Sequence, residues 1–129
     1  MGTHRVLVVD DHVDCAETLG LILGFVGYEA RCAHSGEEAL ELVRTWQPWA
    51  ACVDIAMPKM NGYELARELH RVCKPCPILF AITGLQGGDI VKRCQEAGYV
   101  RHFLKPCDPR GIVAELDALR SSAENRRTA

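Results

Sequence analysis

Five polar side chains stand where short apolar runs stop. Asp10 and Asp11 follow Val6-Leu-Val-Val9, Asp54 follows Ala50-Ala-Cys-Val53, Thr83 follows Ile78-Leu-Phe-Ala-Ile82, and Lys105 follows His102-Phe-Leu104. Apolar runs this short, broken by turn residues, read as buried strands. The ends of such strands are where open α/β sheets bind their ligands. Brought together, three carboxylates repel and raise one another's pKa values, a cost that a hard divalent cation removes. Oxygen donors of this kind suit Mg2+. A crevice so equipped can accept a phosphoryl group, because Mg2+ neutralises some phosphoryl oxygens while Lys105 and the Thr83 hydroxyl bind others. An Asp carboxylate is a competent nucleophile for that transfer and yields an aspartyl phosphate. Asp54 is the expected nucleophile, since it sits centrally between the acidic pair and Lys105. Each residue alone has an ordinary reading: a loop cap, a turn hydroxyl, a surface charge, a helix N-terminal pair. Those readings weaken when all five occupy strand ends.

The elements that must position them alternate. The first strand covers Arg5–Val9, and Cys15, Leu19, Ile22, Leu23 and Val26 then recur at helical spacing up to Gly27, a C′ glycine. Tyr28–Cys32 alternates apolar and polar residues, as a half-exposed edge strand does. Ser35-Gly-Glu-Glu38 has the pattern of a capping box ahead of Ala39, Leu40 and Val43. The third strand, Ala50–Asp54, leads through Pro58, Asn61 and Gly62 to Leu65, Ala66, Leu69, Val72 and Cys73. The fourth strand, Pro77–Ile82, precedes a short helix with Ile90, Val91, Cys94 and Ala97 that Gly98 stops. The fifth strand is His102–Leu104. Asp108-Pro109 pairs an N-cap with proline at N1, ahead of Ile112, Val113, Leu116 and Leu119. Five strands alternating with five helices imply a parallel sheet covered on both faces. The expected fold is a flavodoxin-like, doubly wound (βα)5 α/β domain in strand order 2-1-3-4-5. Strands 1 and 3 flank the switch point of that order, which brings the carboxylates to one crevice. The domain is expected to span residues 1–122, with a frayed polar tail over residues 123–129.

Composition narrows the alternatives. The chain has 129 residues, 48% hydrophobic and 25% charged, with a net charge of -2. No basic run supports nucleic-acid binding, and no apolar run nears the roughly 20 residues of a membrane span. Seven cysteines, an odd number set mostly in apolar patterns, do not describe a disulfide framework. They suggest a reducing, cytoplasmic setting, and Met1–Arg5 lacks the layout of a signal peptide. Cys73-Lys-Pro-Cys76 resembles a redox pair, but it ends a helix and leads into a strand, the reverse of the thioredoxin order. Trp46 and Trp49 are expected to cover the end of the sheet remote from the carboxylates. His4, His12, His34 and His70 are expected in solvent, with His12, beside Asp11, the one placed to brush the metal pocket.

Four segments together resemble the receiver domain of two-component response regulators: Val8-Val-Asp-Asp11, Asp54-Ile-Ala-Met-Pro58 with Asn61-Gly62, Thr83-Gly84, and Phe103-Leu-Lys-Pro106. The resemblance runs from about Arg5 to about Ser121. It implies that Asp54 accepts a phosphoryl group from a phosphohistidine on a sensor histidine kinase or a histidine phosphotransfer protein. It further implies that Asp11, Asp54 and the backbone carbonyl of Ala56 ligate Mg2+, that Asp10 acts through water, that Lys105 contacts the phosphate, and that the Lys105–Pro106 bond is cis. Thr83 would move to the phosphate, and the residue three before Lys105 would follow it inward. That residue is His102 where Tyr or Phe is more usual, so activation is expected to weaken as acid charges the imidazole. The surface of the fourth helix, fifth strand and fifth helix would then engage a downstream protein or form a phosphorylation-dependent dimer. Ala56 and Leu85 are apolar where some relatives orient hydrolytic water, which implies slow self-dephosphorylation. Gly98–Pro109 also resembles receivers fused to hybrid sensor kinases. Two rivals fit less well. A Mg2+-dependent phosphatase needs a second acid–base carboxylate near Asp54, where Ile55 and Ala56 stand. A flavodoxin-like electron carrier would set a flavin phosphate against Asp10-Asp11.

Overall fold

Apolar residues of both parities along the central strands require cover on both sides of the sheet, and the computed structural model, which describes residues 4–128, supplies it. The elements are β1 Arg5–Val9, α1 Val13–Phe25, β2 Glu29–Ala33, α2 Gly36–Val43, β3 Ala50–Asp54, α3 Gly62–Val72, β4 Ile78–Thr83, α4 Gly88–Ala97, β5 Tyr99–Leu104 and α5 Pro109–Thr128. All pairings are parallel, in the order β2-β1-β3-β4-β5. This is the flavodoxin-like doubly wound arrangement expected from the alternation.

Period-two alternation divides each strand between two cores. Leu7, Val9, Ala51, Val53, Leu79 and Ala81 face a layer built by α2, α3 and α4. Val6, Val8, Ala50, Cys52, Phe80 and Ile82 face Leu19 and Leu23 of α1 and Ile112 and Leu116 of α5. Every residue of β3 is buried, so its terminal Asp54 is held by a strand with no freedom to shift.

Several local expectations need correction. The buried stripe of α1 is Ala16, Leu19 and Leu23, while Cys15 and Val26 are exposed. Ser35 accepts a hydrogen bond from the Glu38 backbone N–H at 3.1 Å, which is half of a capping box. The reciprocal box lies at α3, where Asn61 and Glu64 exchange both bonds. Strand β5 begins at Tyr99, three residues before His102, because Val100 bulges outward between the pairs Leu79–Tyr99 and Phe80–Arg101. Helix α5 continues to Thr128, so the polar segment after Ser121 prolongs a helix where fraying was expected. The last residue, 129, lies outside the described residues.

Other expectations hold. Gly27 and Gly98 adopt φ of +103° and +105° as helices α1 and α4 end. Asp108 accepts the Arg110 backbone N–H at 2.9 Å, capping α5 ahead of Pro109. Trp46 is buried and its indole donates to Glu29 at 2.9 Å, while Trp49 stacks on Tyr28. Both lie at the amino end of the sheet, away from Asp54. Cys73 and Cys76 are free thiols, and burial pushes both thiols up, which disfavours the thiolate a redox pair needs.

Candidate functional site: a carboxylate and lysine cluster at the switch point

The carboxyl ends of β1, β3 and β5 converge where the strand order reverses. Asp10 ends the β1 run at 6% exposure, and Asp54 ends β3 at 3%. Lys105, just beyond β5, donates from Nζ to Asp10 Oδ2 at 2.9 Å and to Asp54 Oδ2 at 3.4 Å. One ammonium thus serves two buried carboxylates contributed by residues about half the chain away or more. Asp54 Oδ1 accepts the Ala56 backbone N–H at 3.1 Å. Asp10 Oδ1 accepts the His12 backbone N–H at 3.0 Å.

The loop after β3 is held by its backbone. Gly62 donates its N–H to the Ile55 carbonyl at 2.9 Å, and its carbonyl accepts the Tyr99 hydroxyl at 2.7 Å. A Cβ on Gly62 would lie 2.7 Å from Ile55 Cα and 3.1 Å from the Asp54 carbonyl oxygen. Only glycine admits so close an approach, and the approach fixes the backbone beside the Asp54 carboxylate.

Thr83 is fully buried at the end of β4. Its Oγ1 accepts the Leu85 backbone N–H at 3.0 Å, and its carbonyl accepts the Lys105 N–H at 2.9 Å. Thr83 therefore joins the loops after β4 and β5, with its hydroxyl engaged by its own turn. His102 pairs with Ala81 and shares the sheet face covered by α4. Its Nε2 is enclosed and has no hydrogen-bond partner among the described residues.

The electrostatics follow from burial and mutual charge. Burial raises the Asp54 carboxyl to about 6, the neighbouring Asp10 charge adds to the rise, and Lys105 and the Ala56 N–H oppose it. Burial alone would also raise Asp10, but the His12 N–H and Lys105 hold it below the usual carboxylate range. Burial would lower Lys105, yet the bond to Asp10 and the charge of Asp54 keep its ammonium above its ordinary value. The two aspartates differ because Asp10 has the His12 N–H and the nearer bond to Lys105, while Asp54 meets the charge of Asp10.

Asp11 is half-buried beside this pair, and its Oδ1 is enclosed without a hydrogen-bond partner. Donor atoms of Asp10, Asp11, His12 and Asp54 all lie within 4.8 Å of one another. An orphaned oxygen amid converging oxygen donors is what a cation site presents. His12 does reach the acidic pocket. His34, expected in solvent, is half-buried with Nδ1 3.3 Å from the Asp10 carbonyl oxygen. Sequence reasoning also missed a largely apolar cavity of about 530 Å³ between α1 and the start of α5, bordered by Asp10, Cys15, Lys105, Pro106, Cys107 and Ile112. No periodicity in the sequence signals a groove between two helices.

Comparison with known proteins gives one consistent answer. The model of the response regulator receiver domain family matches residues 6–117. The response regulator MprA of Mycobacterium ulcerans is 41% identical over 115 residues, covering 89% of this chain and 49% of its own length. The chain spans about half the length of the curated relatives it matches. A CheY-like response regulator receiver domain protein from Methanospirillum hungatei superposes with a TM-score of 0.87 at 26% identity, covering 97% of this chain and 99% of that one. The signal receiver domain of a signal transduction histidine kinase from Syntrophus aciditrophicus gives 0.82 at 28% identity, covering 93% and 92%. The sheet order, the acidic crevice with its lysine, and these matches have one common explanation: the chain belongs to the response regulator receiver domain family, the signalling module of two-component systems.

Proposed function

We propose that Asp54 accepts a phosphoryl group from a phosphohistidine of a sensor histidine kinase or a histidine phosphotransfer protein, and that the modified domain regulates a partner. The carrying observation is the position of Lys105 Nζ, within 3.4 Å of both Asp10 and Asp54. A carboxylate oxygen of Asp54 attacks phosphorus, the bond from phosphorus to the donor imidazole nitrogen breaks, and that nitrogen keeps the electron pair. Lys105 is placed to follow the charge from Asp54 onto the new phosphoryl oxygens. Asp11, Asp54 and the Ala56 carbonyl would hold Mg2+, with Asp10 acting through water. Bound Mg2+ supplies charge neutralisation for the carboxylates and the incoming phosphoryl group.

The switch would begin at Thr83. Its hydroxyl leaves the Leu85 N–H for a phosphoryl oxygen, and His102, unpartnered at Nε2, follows toward the vacated space. The shift biases the surface of α4, β5 and α5 toward a downstream protein or a second copy of the chain. The exposed Val91, Val100 and Leu104 lie on that surface. No nucleic-acid contact and no membrane contact are needed for this output, and no helix among the described residues is long and apolar enough to cross a membrane. The chemistry suits the cytoplasm, where sensor kinases present their phosphohistidine. The domain would act on itself alone, catalysing its own phosphorylation and its slow reversal.

The test is incubation with a small phosphodonor and Mg2+, followed by intact mass of wild type and Asp54→Asn. Wild type should gain one phosphoryl group and the variant none; equal uptake by both would refute the assignment. In the same samples the adduct should outlast seconds, because Ala56 and Leu85 offer no polar group to position water.

A further inference from the structure

We infer that His12 is a nitrogen ligand of this centre, and that it shifts the site's preference toward borderline divalent ions such as Co2+, Ni2+ or Zn2+ over Mg2+. The inference rests on the cation site in the reading above and concerns which ion that site prefers. Its basis is geometric. His12 occupies the N-cap position of α1, yet its side chain makes no cap hydrogen bond. The ring instead places Nδ1 3.3 Å from Asp10 Oδ1 and 3.6 Å from Asp11 Oδ1. With metal–ligand bonds of about 2.0–2.2 Å, neighbouring ligands on one ion stand about 3.0–3.5 Å apart. The imidazole is therefore already near adjacent-ligand spacing from the Asp11 carboxylate, and within hydrogen-bond reach of Asp10 Oδ1.

The longer contact is informative. At 3.6 Å it does not satisfy Asp11 Oδ1, which remains buried and without a hydrogen bond. A cation bound between the two groups would satisfy the oxygen and the nitrogen together. The His12 side chain is 68% exposed, so it can move the last few tenths of an ångström without disturbing the core. The tight turn that aims it is set by its own N–H bond to Asp10.

The chemistry decides the ion. Carboxylate, carbonyl and water oxygens suit Mg2+ and Mn2+, whereas imidazole suits the later divalent metals. A set of carboxylate, carbonyl and water oxygens favours hard ions. One added imidazole raises affinity for Co2+, Ni2+ or Zn2+ with little effect on Mg2+. The competing account of the same distances is an ion pair between a charged imidazole and the carboxylates. Under that account, removing the ring strengthens binding of every divalent cation alike.

The experiment measures binding of Mg2+ alone and Co2+ alone to wild type, His12→Ala, and His34→Ala as a control for the second imidazole near Asp10. Calorimetric titration is paired with the visible spectrum of the Co2+ form. Replacing His12 should weaken Co2+ binding by about tenfold or more, change the Co2+ spectrum, and leave Mg2+ affinity within about twofold. His34→Ala should match wild type in both. Unchanged Co2+ affinity in His12→Ala, an equal change for both ions, or stronger binding of both would overturn the inference. Phosphodonor uptake with Mg2+ separates this from the functional reading. Normal uptake with no effect of His12 on Co2+ would sink the ligand assignment alone, and a His12-dependent Co2+ site without uptake at Asp54 would uphold it while the phosphoacceptor reading falls.

Discussion

Asp54→Asn should stabilise the metal-free domain at neutral pH. Asp54 is almost fully buried, and burial with the nearby Asp10 raises its carboxyl from 3.8 to about 6. In the folded state the proton is therefore held more tightly than in the unfolded chain. The stabilisation this provides is complete below the unfolded value near 3.8 and is lost as pH rises through about 6. Above neutrality the wild type carries a charge penalty of about 3 kcal/mol, from the free energy equivalent of that rise. Asparagine is neutral at every pH, nearly the same shape, and retains donors that can reach Asp10. Relaxation around the buried charge should trim the gain to about 2–3 kcal/mol. For a domain of this size that is roughly 6–10 °C in Tm. The assay is urea denaturation and thermal melting of both proteins with EDTA, from about pH 4 to about pH 8. The variant should lead at high pH, and the gap should close between about pH 6 and about pH 4 as wild type takes up its proton. A gap that is absent at neutral pH, or constant across the range, would refute the account of Asp54 as a strained buried charge.

Two other outcomes are expected. Gly62→Ala should cost about 2–3 kcal/mol in urea unfolding, because the added carbon meets Ile55 backbone at 2.7 Å in a loop pinned on both sides; a loss below about 0.5 kcal/mol would show that the loop yields. His102→Phe should alter the phosphorylation-dependent change of the α4–β5–α5 surface, since His102 Nε2 is enclosed without a partner among the described residues beside the strand end that carries Thr83. Binding of a downstream partner, or dimer formation, by the phosphorylated wild type and His102→Phe checks this, and equal responses in the two proteins would remove His102 from the switch.

Relatives such as MprA are about twice as long as the region they share with this chain. At one rim of the sheet stand buried Asp10 and Asp54, Lys105 between them, and Asp11 with its enclosed oxygen. The groove beside Lys105 borders that same rim.

The order of elements and the members of the crevice could be read from the chain because their signals are local. Val6–Val9, Ala50–Val53 and Ile78–Ile82 are apolar at both parities, so they must be strands buried on two faces, and the polar residue after each must lie at the sheet's rim. Gly27 and Gly98 announce their helix ends by the backbone they alone adopt easily. Other features depend on how separate elements meet. The Val100 bulge decides which face His102 occupies, and it exists only in the pairing of β5 with β4. The face of α1 was set by the sheet it covers, so Ala16 is buried while Cys15 is not. The sharing of Lys105 between Asp10 and Asp54, and the inward turn of His12, are distances between strand ends and loops. Such distances depend on twist, register and packing, quantities that no short stretch of sequence contains, because they arise only when strands far apart in the chain share one sheet.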